Sequence, residues 1–479
     1  MRHQSTSLLN HCFVLAAVCA GTLVLMVAGM PAVAHDRNTL VPRGHDAYTP
    51  SPIPDRVMLM LTAEPHNSQS VNWRTTAEVE RSIAQITRAD GRPGLHLEAQ
   101  SIEGQYQSVK TENGQAHYHS VTFTELEPDT LYAYRVIGDE TWSEWFQFKT
   151  APSENAPFSF FYFGDAQNSV RSHFSRVIRE AFMQNARPAF MLHAGDMVNL
   201  REGNHDDEWG EWFDAGSFLN AMVPSAIVAG NHEFVDRPFR LQRALSPQFQ
   251  PQFTTPQNGP EGLQDTVYHL TYQDTLIVVM DSMNALYDDD HAQAQAQWLD
   301  ELLETSQHRW VIVSHHHPIH SVSVGRDNPP LREFWQPIYE RHGVDLVLQG
   351  HDHTYGRGLS APVPDSNRAQ QSGPMYVVSV AGPKMYMIAD EDNPNMQRMG
   401  EELQLYQTIE VSNDRIHFQA WTAAGELYDA FAIHQDEQGN NTIENLIPMD
   451  RPIHRCTNPD MPESDRCWNG KELISSPDN

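Results

Sequence analysis

Six apolar segments between residues 159 and 353 leave few folds open to this chain, because each one runs directly into polar residues. The segments are SFFYFGD, AFMLHAGD, SAIVAGNHE, TLIVVMDS, RWVIVSHHHP and DLVLQGHDH. Short apolar runs are typical of buried strands, and helical patterns at 170–185, 291–305 and 331–342 lie between several of them. Strands that alternate with helices predict an α/β domain, in which ligands bind at the carboxyl ends of the strands.

The ends of five of these segments carry side chains that can bind metal ions. Each one alone has an ordinary structural explanation, such as a turn, a helix cap or a hydrated strand end. Together they supply what two neighbouring ions require: a carboxylate to bridge them, imidazole nitrogens, and neutral oxygens that limit the negative charge. The candidates are Asp165, Gln167, Asp196, Asn231, His232, His316, His351 and His353.

A glycine precedes four of these candidates, namely Asp165, Asp196, Asn231 and His351. Glycine lets the backbone turn sharply away from a strand, and it has no Cβ to occupy space that ions and a phosphate would need. The glycine positions therefore support the same site.

Residues 56–150 show a different pattern, of short alternating stretches separated by turns, with no convincing helix. This pattern is typical of an all-β sandwich. Within it, LEPDTLYAYRV resembles the tyrosine corner of fibronectin-III domains, in which Tyr132 would bond back to the preceding loop; a generic hairpin is the alternative. The segment 151–157 would link this domain to the α/β domain, and a β pattern returns at 403–433.

The order GD, GD, GNHE, H and GHxH behind a fibronectin-like domain resembles the purple acid phosphatase branch of the calcineurin-like metallophosphoesterases, over residues 50–435. The resemblance implies an α/β (α+β) four-layer metallophosphoesterase sandwich with a separate N-terminal all-β fibronectin-III-like sandwich. We expect the N-terminal domain at 50–150, the metallophosphoesterase domain at 157–435 and a tail at 436–479.

The resemblance also implies two divalent or trivalent metal ions, with iron, zinc or manganese expected. It assigns Asp165 and His353 to the first ion, Asp196 to the bridge, and Asn231, His316 and His351 to the second ion. His232 would be an acid outside the ligand set. Of the three histidines in SHHHP, His316 is the expected ligand because the family ligand lies two residues before the proline, here Pro318.

Several positions depart from the family pattern. Purple enzymes have a tyrosine three residues after the bridging aspartate, where this chain has Asn199, so the charge-transfer colour should be missing. Gln167 matches relatives resembling manganese-dependent ADP-ribose pyrophosphatases, in which the amide oxygen coordinates; a supporting role beside the ligands is the alternative. Arg326 stands near the position of paired substrate-binding histidines, where it would clamp phosphate or be an ordinary surface arginine. Tyr355 would line the same pocket or pack in the core.

These features predict an exported phosphoesterase that hydrolyses phosphate monoesters by attack of a metal-bound hydroxide, with a small phosphate ester as its substrate. The first alternative is a phosphodiesterase or nucleotide pyrophosphatase, for which Arg326 and the insertion at 242–264 are the regions to watch. A non-catalytic surface-binding protein is the second alternative. The β domain would pack against the catalytic domain or form a homodimer contact.

The N-terminus and the cysteines indicate export, to the periplasm or out of the cell. Residues 1–34 have the pattern of a signal peptide with an A-x-A cleavage site at 32–34, which leaves no membrane span after cleavage; an uncleaved anchor is the alternative. Only Cys456 and Cys467 remain in the mature chain, and we expect them to form a disulfide in the tail. A formal charge of −30 argues against nucleic acid as a partner.

Overall fold

The computed structural model describes residues 39–42, 45–200, 204–236, 243–360, 373–389, 393–448, 450–457, 466–468 and 470. The predicted signal peptide at 1–34 lies outside these residues. In the described part of the chain, no helix has both the length and the apolar character that crossing a membrane requires.

The N-terminal domain is all-β apart from a 3₁₀ turn at Leu95–Leu97. Its strands are β1 Asp55–Met60, β2 Gln69–Thr76, β3 Ile83–Arg88, β4 Gln100–Glu103, β5 Gln105–Thr111, β6 Gly114–Phe123, β7 Leu131–Val136 and β8 Phe146–Lys149. The period of two that the sequence shows is visible in β3, where Ala84 and Ile86 are buried and Gln85 between them is partly exposed. Trp73 and Phe148 lie in the hydrophobic core of this domain.

Tyr132 makes the contact predicted for a tyrosine corner. Its hydroxyl accepts a hydrogen bond of 2.9 Å from the N–H of Glu127 in the preceding loop. The ring is buried and stacks on Phe148, with 5.9 Å between the ring centroids. Tyr132 therefore ties the loop before β7 to the core of the domain.

The second domain alternates strands and helices and then returns to strands. Its helices are α1 Val170–Gln184, α2 His205–Gly216, α3 Phe218–Met222, α4 Phe249–Gln252, α5 Ser282–Tyr287, α6 Asp289–Thr305, α7 Pro329–Phe334 and α8 Gln336–His342. The strands among these helices are β9 Phe158–Phe163, β10 Met191–His193, β11 Ser225–Ile227, β12 Phe234–Val235, β13 Ala244–Leu245, β14 Tyr268–Tyr272, β15 Thr275–Val279 and β16 Trp310–Ser314. The later strands are β17 Leu346–Gln349, β18 Tyr355–Leu359, β19 Met375–Val378, β20 Met385–Tyr386, β21 Arg398–Gly400, β22 Leu405–Val411, β23 Arg415–Thr422, β24 Leu427–Gln435, β25 Asn441–Asn445 and β26 Arg466–Trp468.

Two large β-sheets pack face to face between two layers of helices. The first contains β22, β9, β10 and β11 as neighbours, and the second has the order β14-β15-β16-β17-β19-β18-β21. Phe160 and Tyr162 of β9 belong to the core between the sheets, whereas Phe161 and Phe163 pack with α1 and α2. Helices α6, α7 and α8 pack on the outer face of the second sheet. This arrangement confirms the predicted four-layer sandwich.

The N-terminal domain has its own core but shares its main sheet with the second domain. β1 pairs in parallel with β11, and β2, β6 and β5 continue beyond β1, so that 11 strands form one hydrogen-bonded sheet. At the junction, the N–H of Leu61 donates to the carbonyl of Ser225 at 3.0 Å. The sequence predicted a separate sandwich because strand periodicity reports which side chains are buried, and not which strands pair.

Buried ion pairs cross the same junction. Arg56 of β1 and Arg74 of β2 bind the carboxylate of Asp206, in the first turn of α2, at 2.8 Å and 3.0 Å. Asn204 caps this helix, because its side chain accepts hydrogen bonds from the N–H groups of Asp206 and Asp207. Two arginines on one buried carboxylate hold α2 against the N-terminal domain.

The loops that follow five parallel strands lie together at one edge of the sandwich. In the first sheet, β10 pairs in parallel with both β9 and β11, so the three strands end side by side. In the second sheet, β16 and β17 are parallel as well. The loops after these strands carry Asp165, Asp196, Asn231, His316 and His351.

The tail beyond residue 435 is tied to the rest of the fold at two places. β25 pairs with β24 at the end of the main sheet, and β26 pairs with β20. Cys456 and Cys467 form the predicted disulfide, with 5.5 Å between their Cα atoms. The disulfide holds β26 beside Tyr386, near the loops that carry the candidate ligands.

Candidate metal centre

Asp196 belongs to two groups of side chains that could each hold a metal ion. One group is Asp165, Asp196 and His353, and the other is Asp196, His316 and His351. Within each group, the potential ligand atoms lie within 4.8 Å of one another. A carboxylate common to two such groups is what a pair of neighbouring ions requires.

The backbone adopts unusual conformations to bring these side chains together. Asp196, His351 and His353 have φ angles of 50°, 73° and 51°, in the left-handed region that non-glycine residues rarely occupy. A Cβ at Gly230 would overlap Asp196, and a Cβ at Gly350 would overlap the carboxylate of Asp165. The structure therefore bears out the need for glycine before Asn231 and His351.

His316 is oriented by its Nδ1, which donates a hydrogen bond of 2.8 Å to the carbonyl of Ala194. Its Nε2 therefore faces the centre, 3.2 Å from Oδ1 of Asn231 and 3.2 Å from Oδ2 of Asp196. Nδ1 of His351 lies 3.3 Å from the same nitrogen. Two imidazoles, an amide oxygen and a carboxylate converge here, a donor set that suits zinc, iron or manganese.

The charges around His316 favour a cation at its Nε2. Burial lowers the pKa of this imidazole, but the carboxylates of Asp196 and Asp165 overcome that effect and raise the pKa to about 9. Burial likewise opposes ionisation of Asp196, yet His316 and His232 hold its pKa well below the ordinary value. The site keeps its central carboxylate ionised, which is a condition for holding metal ions.

The side-chain amide of Gln167, a candidate ligand from the sequence, lies beside the group of Asp165, Asp196 and His353. Nδ1 of His353 donates to the carbonyl of Lys384 at 2.8 Å, so its Nε2 faces inward, 3.1 Å from Oδ2 of Asp165. Nε2 of Gln167 lies 3.0 Å from that nitrogen and 2.9 Å from Oδ2 of Asp196. Oε1 of Gln167 is buried without a hydrogen-bond partner. If the amide group were rotated by half a turn, Oε1 would lie between Nε2 of His353 and Oδ2 of Asp196, where it could coordinate a metal ion.

The other two histidines of the SHHHP segment are held by structural contacts. Nδ1 of His315 donates to the carbonyl of His317 at 2.8 Å, and its ring packs against Trp335. Nδ1 of His317 is hydrogen-bonded to the hydroxyl of Ser282 at 2.9 Å. The geometry therefore favours the choice of His316 among the three.

His232 lies beside the centre without belonging to either ligand group. Its N–H donates to Oδ1 of Asp196 at 2.7 Å, and its Nδ1 is hydrogen-bonded to the carbonyl of Asn199. The N–H of Asn199 in turn donates to the buried carboxylate of Glu208 at 2.6 Å. The ring is thereby fixed with Nε2 4.0 Å from Oδ2 of Asp196.

Arg326 lies at the rim of the centre, with its side chain 21% exposed. It donates a hydrogen bond to the carbonyl of His351, and its guanidinium lies 4.4 Å from the ring centroid of Tyr386. The carboxylate of Asp352 is 3.8 Å away. Arg326 is therefore bound to the ligand-bearing loop, unlike an ordinary surface arginine.

Tyr355 is a core residue. Its hydroxyl donates to the buried carboxylate of Asp429 at 2.7 Å, and its ring packs edge-on against Tyr428. The sequence allowed two interpretations of Tyr355. The structure supports packing in the core and contradicts a position in the wall of the pocket.

Sequence reasoning missed Glu233, the last residue of the GNHE segment. Its fully buried carboxylate accepts hydrogen bonds from the N–H groups of Gly230 at 2.7 Å, Asp196 at 2.8 Å and Met197 at 2.9 Å. Glu233 therefore joins the loop of the shared aspartate to the loop of Asn231. Its place directly after a candidate ligand pair was the signal that could have revealed it.

A cavity of about 470 Å³ opens beside the centre. His317, His351 and Asn231 form its inner wall, and Arg243 and Tyr287 contribute to its outer wall. Part of the insertion that the sequence marked at 242–264 thus reaches this cavity through Arg243.

Both parts of the chain match known families. The model of the calcineurin-like phosphoesterases matches residues 159–355, which contain all the loops just described, so this part is a calcineurin-like phosphoesterase domain. The model of the purple acid phosphatase N-terminal domain matches residues 54–150. The chain therefore combines a region that matches the purple acid phosphatase N-terminal domain with a calcineurin-like phosphoesterase domain.

Individual relatives are distant. An uncharacterized protein of Mycobacterium tuberculosis is 26% identical over 322 residues, which are 60% of this chain and 59% of that protein. The Fe(3+)-Zn(2+) purple acid phosphatase 12 of Arabidopsis thaliana is 27% identical over 293 residues, 54% of this chain and 58% of that protein. The chain thus spans less than two thirds of the length of these relatives.

Solved structures share the fold. The purple acid phosphatase PPD1 of yellow lupin has a TM-score of 0.65 at 15% identity, covering 81% of this chain and 75% of that chain. PhoD has a TM-score of 0.59 at 12% identity, covering 86% of this chain and 95% of that chain. At these identities the comparison establishes the architecture alone.

Proposed function

We propose that the chain is an exported dinuclear metal-dependent phosphoesterase that hydrolyses phosphate monoesters. The observation that carries the proposal is the membership of Asp196 in both ligand groups. When bound, two ions would lower the pKa of a water molecule and neutralise phosphoryl oxygens. The residues proposed to hold one ion are Asp165, Gln167, Asp196 and His353. Those proposed for the other are Asp196, Asn231, His316 and His351.

Residues beside the proposed ligands would supply a proton, hold the ligand loops and bind the rest of the substrate. His232 is fixed at Nδ1 by the carbonyl of Asn199, so its Nε2 is the atom that would hold a proton for the leaving oxygen. Glu233 keeps two of the ligand loops at a fixed spacing. The cavity lined by Tyr287 would receive the organic part of a small phosphate ester.

The proposal of export is supported by the disulfide in the tail, because disulfides persist mainly in oxidising compartments. The A-x-A pattern at 32–34 supports it independently. Together the two observations support a periplasmic or secreted location.

The proposal is tested by metal analysis and kinetics of three variants. Asp196→Ala should lose both ions, because both groups share this carboxylate, whereas His316→Ala should lose chiefly one. His434→Ala, at a partly exposed histidine paired with Glu444 on the far sheet edge, is the matched control and should keep both ions. The activity of each variant is measured on a panel of monoesters, diesters and nucleotides.

Two bound ions together with full hydrolytic activity in Asp196→Ala would contradict the dinuclear assignment. A wild-type protein that carries two ions but hydrolyses only diesters would contradict the monoester assignment and leave the metal centre intact.

A further inference from the structure

The cavity beside the metal centre is lined mostly by polar side chains. Its apolar lining consists of Leu286, Pro329 and Pro330, and the rest of its lining is polar. Sites for apolar groups are lined predominantly by hydrophobic side chains, so this cavity suits a polar group. Two of its polar residues, His317 and Asn328, each have a side-chain atom that makes no hydrogen bond within the described part of the chain.

The hydroxyl of Ser282 determines which ring nitrogen of His317 carries the proton. Its oxygen accepts from the N–H of His317 at 2.9 Å and lies 2.9 Å from Nδ1 of the same residue. Among the described residues, Nδ1 is the one acceptor that contacts this hydroxyl, so Nδ1 accepts and the proton of the neutral ring lies on Nε2. A protonated ring would carry a hydrogen on Nε2 as well. His317 therefore offers an N–H donor to the cavity that it lines.

Asn328 contributes the complementary acceptor. Its Nδ2 donates to the carbonyl of Pro318 at 2.8 Å and to Oγ of Ser321 at 3.2 Å. A carbonyl only accepts, so the amide cannot be turned over, and Oδ1 is the atom that remains. Asn328 precedes α7 but makes no capping hydrogen bond, and Pro329 and Pro330 at the start of this helix have no N–H that its oxygen could accept.

The donor and the acceptor lie near each other and beside one of the proposed metal positions. Asn328 is bonded to the carbonyl of Pro318, the residue that follows His317. The ring centroid of His317 lies 4.1 Å from that of His351 and 5.0 Å from that of His316. Both of these histidines are proposed ligands of the same ion. The pair is therefore placed to contact the organic part of an ester whose phosphate is bound at that ion.

We infer that the cavity binds a hydroxyl group on the organic part of the substrate, so that the favoured substrates are phosphate monoesters of polyols or sugars. The inference rests on the proposed function. A hydroxyl group both accepts and donates, so it can satisfy Nε2–H of His317 and Oδ1 of Asn328 together. An alkyl group of the same size would leave both atoms without a partner, and a site built for a hydroxyl rejects such an analogue for that reason.

The test compares kcat/KM for glycerol phosphate with kcat/KM for propyl phosphate, in the metal-loaded full chain. His317→Met removes the donor but nearly keeps the volume, and it should lower the ratio of the two values on the order of 10-fold because one hydrogen bond to the hydroxyl is lost. His317→Gln places an amide N–H near the position of Nε2 and should retain most of the ratio. His434→Met, the same change at the partly exposed histidine paired with Glu444, is the control and should leave the ratio unchanged.

The metal content of each variant is measured as well, because His317 follows a proposed ligand. An unchanged ratio in His317→Met with both ions bound, including an equal loss on both esters, overturns the inference and leaves the proposed function standing. Failure of the metal-loaded wild type to hydrolyse either ester overturns the proposed function instead.

If His317→Met does not fold or loses metal, inhibition of the wild type decides the question. Dihydroxybutylphosphonate, which carries the two hydroxyls of glycerol phosphate, should then bind at least about 10-fold more tightly than butylphosphonate. Equal binding of the two phosphonates refutes the hydroxyl site.

Discussion

Replacing Glu233 should weaken both metal positions at once, although Glu233 belongs to neither ligand group. Its carboxylate accepts three backbone hydrogen bonds, two at Oε2 from Gly230 and Asp196 and one at Oε1 from Met197. Alanine would leave three buried N–H groups without a partner, at about 1–3 kcal/mol each. The total of about 3–9 kcal/mol approaches the whole stability of an ordinary domain, so Glu233→Ala should not fold.

Glu233→Gln is the informative change because it keeps the volume. Its single oxygen can take the Oε2 position and retain two bonds, which leaves the amide NH₂ facing the N–H of Met197. The expected cost is therefore about 1–3 kcal/mol, one lost buried hydrogen bond. Burial and the charge of Asp196 raise the pKa of Glu233 to about 8, so the comparison is made at pH 9, where the wild-type side chain is ionised.

The assay is denaturant unfolding of the metal-depleted protein at pH 9, followed by titration with metal. Glu304→Gln, at an exposed position of α6, is the control and should lie within about 0.5 kcal/mol of wild type. Equal unfolding free energies and equal affinities for both ions in wild type and Glu233→Gln would refute the reasoning.

Four further predictions concern other parts of the chain. His232→Ala should keep the metal content and slow alkyl phosphate esters on the order of 100-fold more than activated phenyl esters, whose leaving group needs no proton; a ratio of the two rates equal to that of wild type contradicts this. Burial lowers the pKa of His193 to about 3, so the folded protein resists protonation that the unfolded chain accepts below about 6.5, and stability falls on acidification. Between pH 6.5 and pH 5, His193→Phe should reduce the loss of unfolding free energy by about 2 kcal/mol, as measured by denaturant unfolding at both pH values. A pH dependence equal to that of wild type would contradict this prediction. Mass spectrometry of the exported protein should find cleavage after residue 34 and a gain of two hydrogens on reduction of Cys456–Cys467, whereas two free thiols in the native form would disprove the pairing. The iron-loaded wild type should be colourless because Asn199 replaces the tyrosine of purple enzymes, and Asn199→Tyr should add a visible absorption band; a purple wild type rules this out.

The ends of the strands were the part of the molecule that the sequence predicted best. Each apolar run ends in a loop whose position follows from parallel pairing, so the residues after β9, β10, β11, β16 and β17 had to meet at one edge. The choice of His316 among three histidines also agrees with the geometry. Local patterns determine these features, because they depend on strand direction and on residues near each strand end.

The sequence did not predict features that depend on contacts between distant parts of the chain. The place of Glu233 after Asn231 and His232 marked it as a candidate, but its role depends on N–H donors of Asp196 and Met197, which belong to a loop far earlier in the chain. Arg326, Lys384 and Arg466 all contact the ring of Tyr386 although they lie about 60 to 140 positions apart in the chain. Tyr355 donates a hydrogen bond to Asp429, which belongs to a strand far later in the chain. Periodicity shows that a side chain is buried but does not show what it meets.

The pairing of β1 with β11 means that the catalytic domain has no edge of its own on that side. A fragment trimmed at residue 150 would uncover the backbone N–H and C=O groups of β11, and an open strand edge is a template on which other chains aggregate. The same cut would remove Arg56 and Arg74, and with them the two buried ion pairs that hold Asp206 and α2 in place. The β domain therefore stabilises the phosphoesterase domain, and shortening this protein for engineering has to spare it.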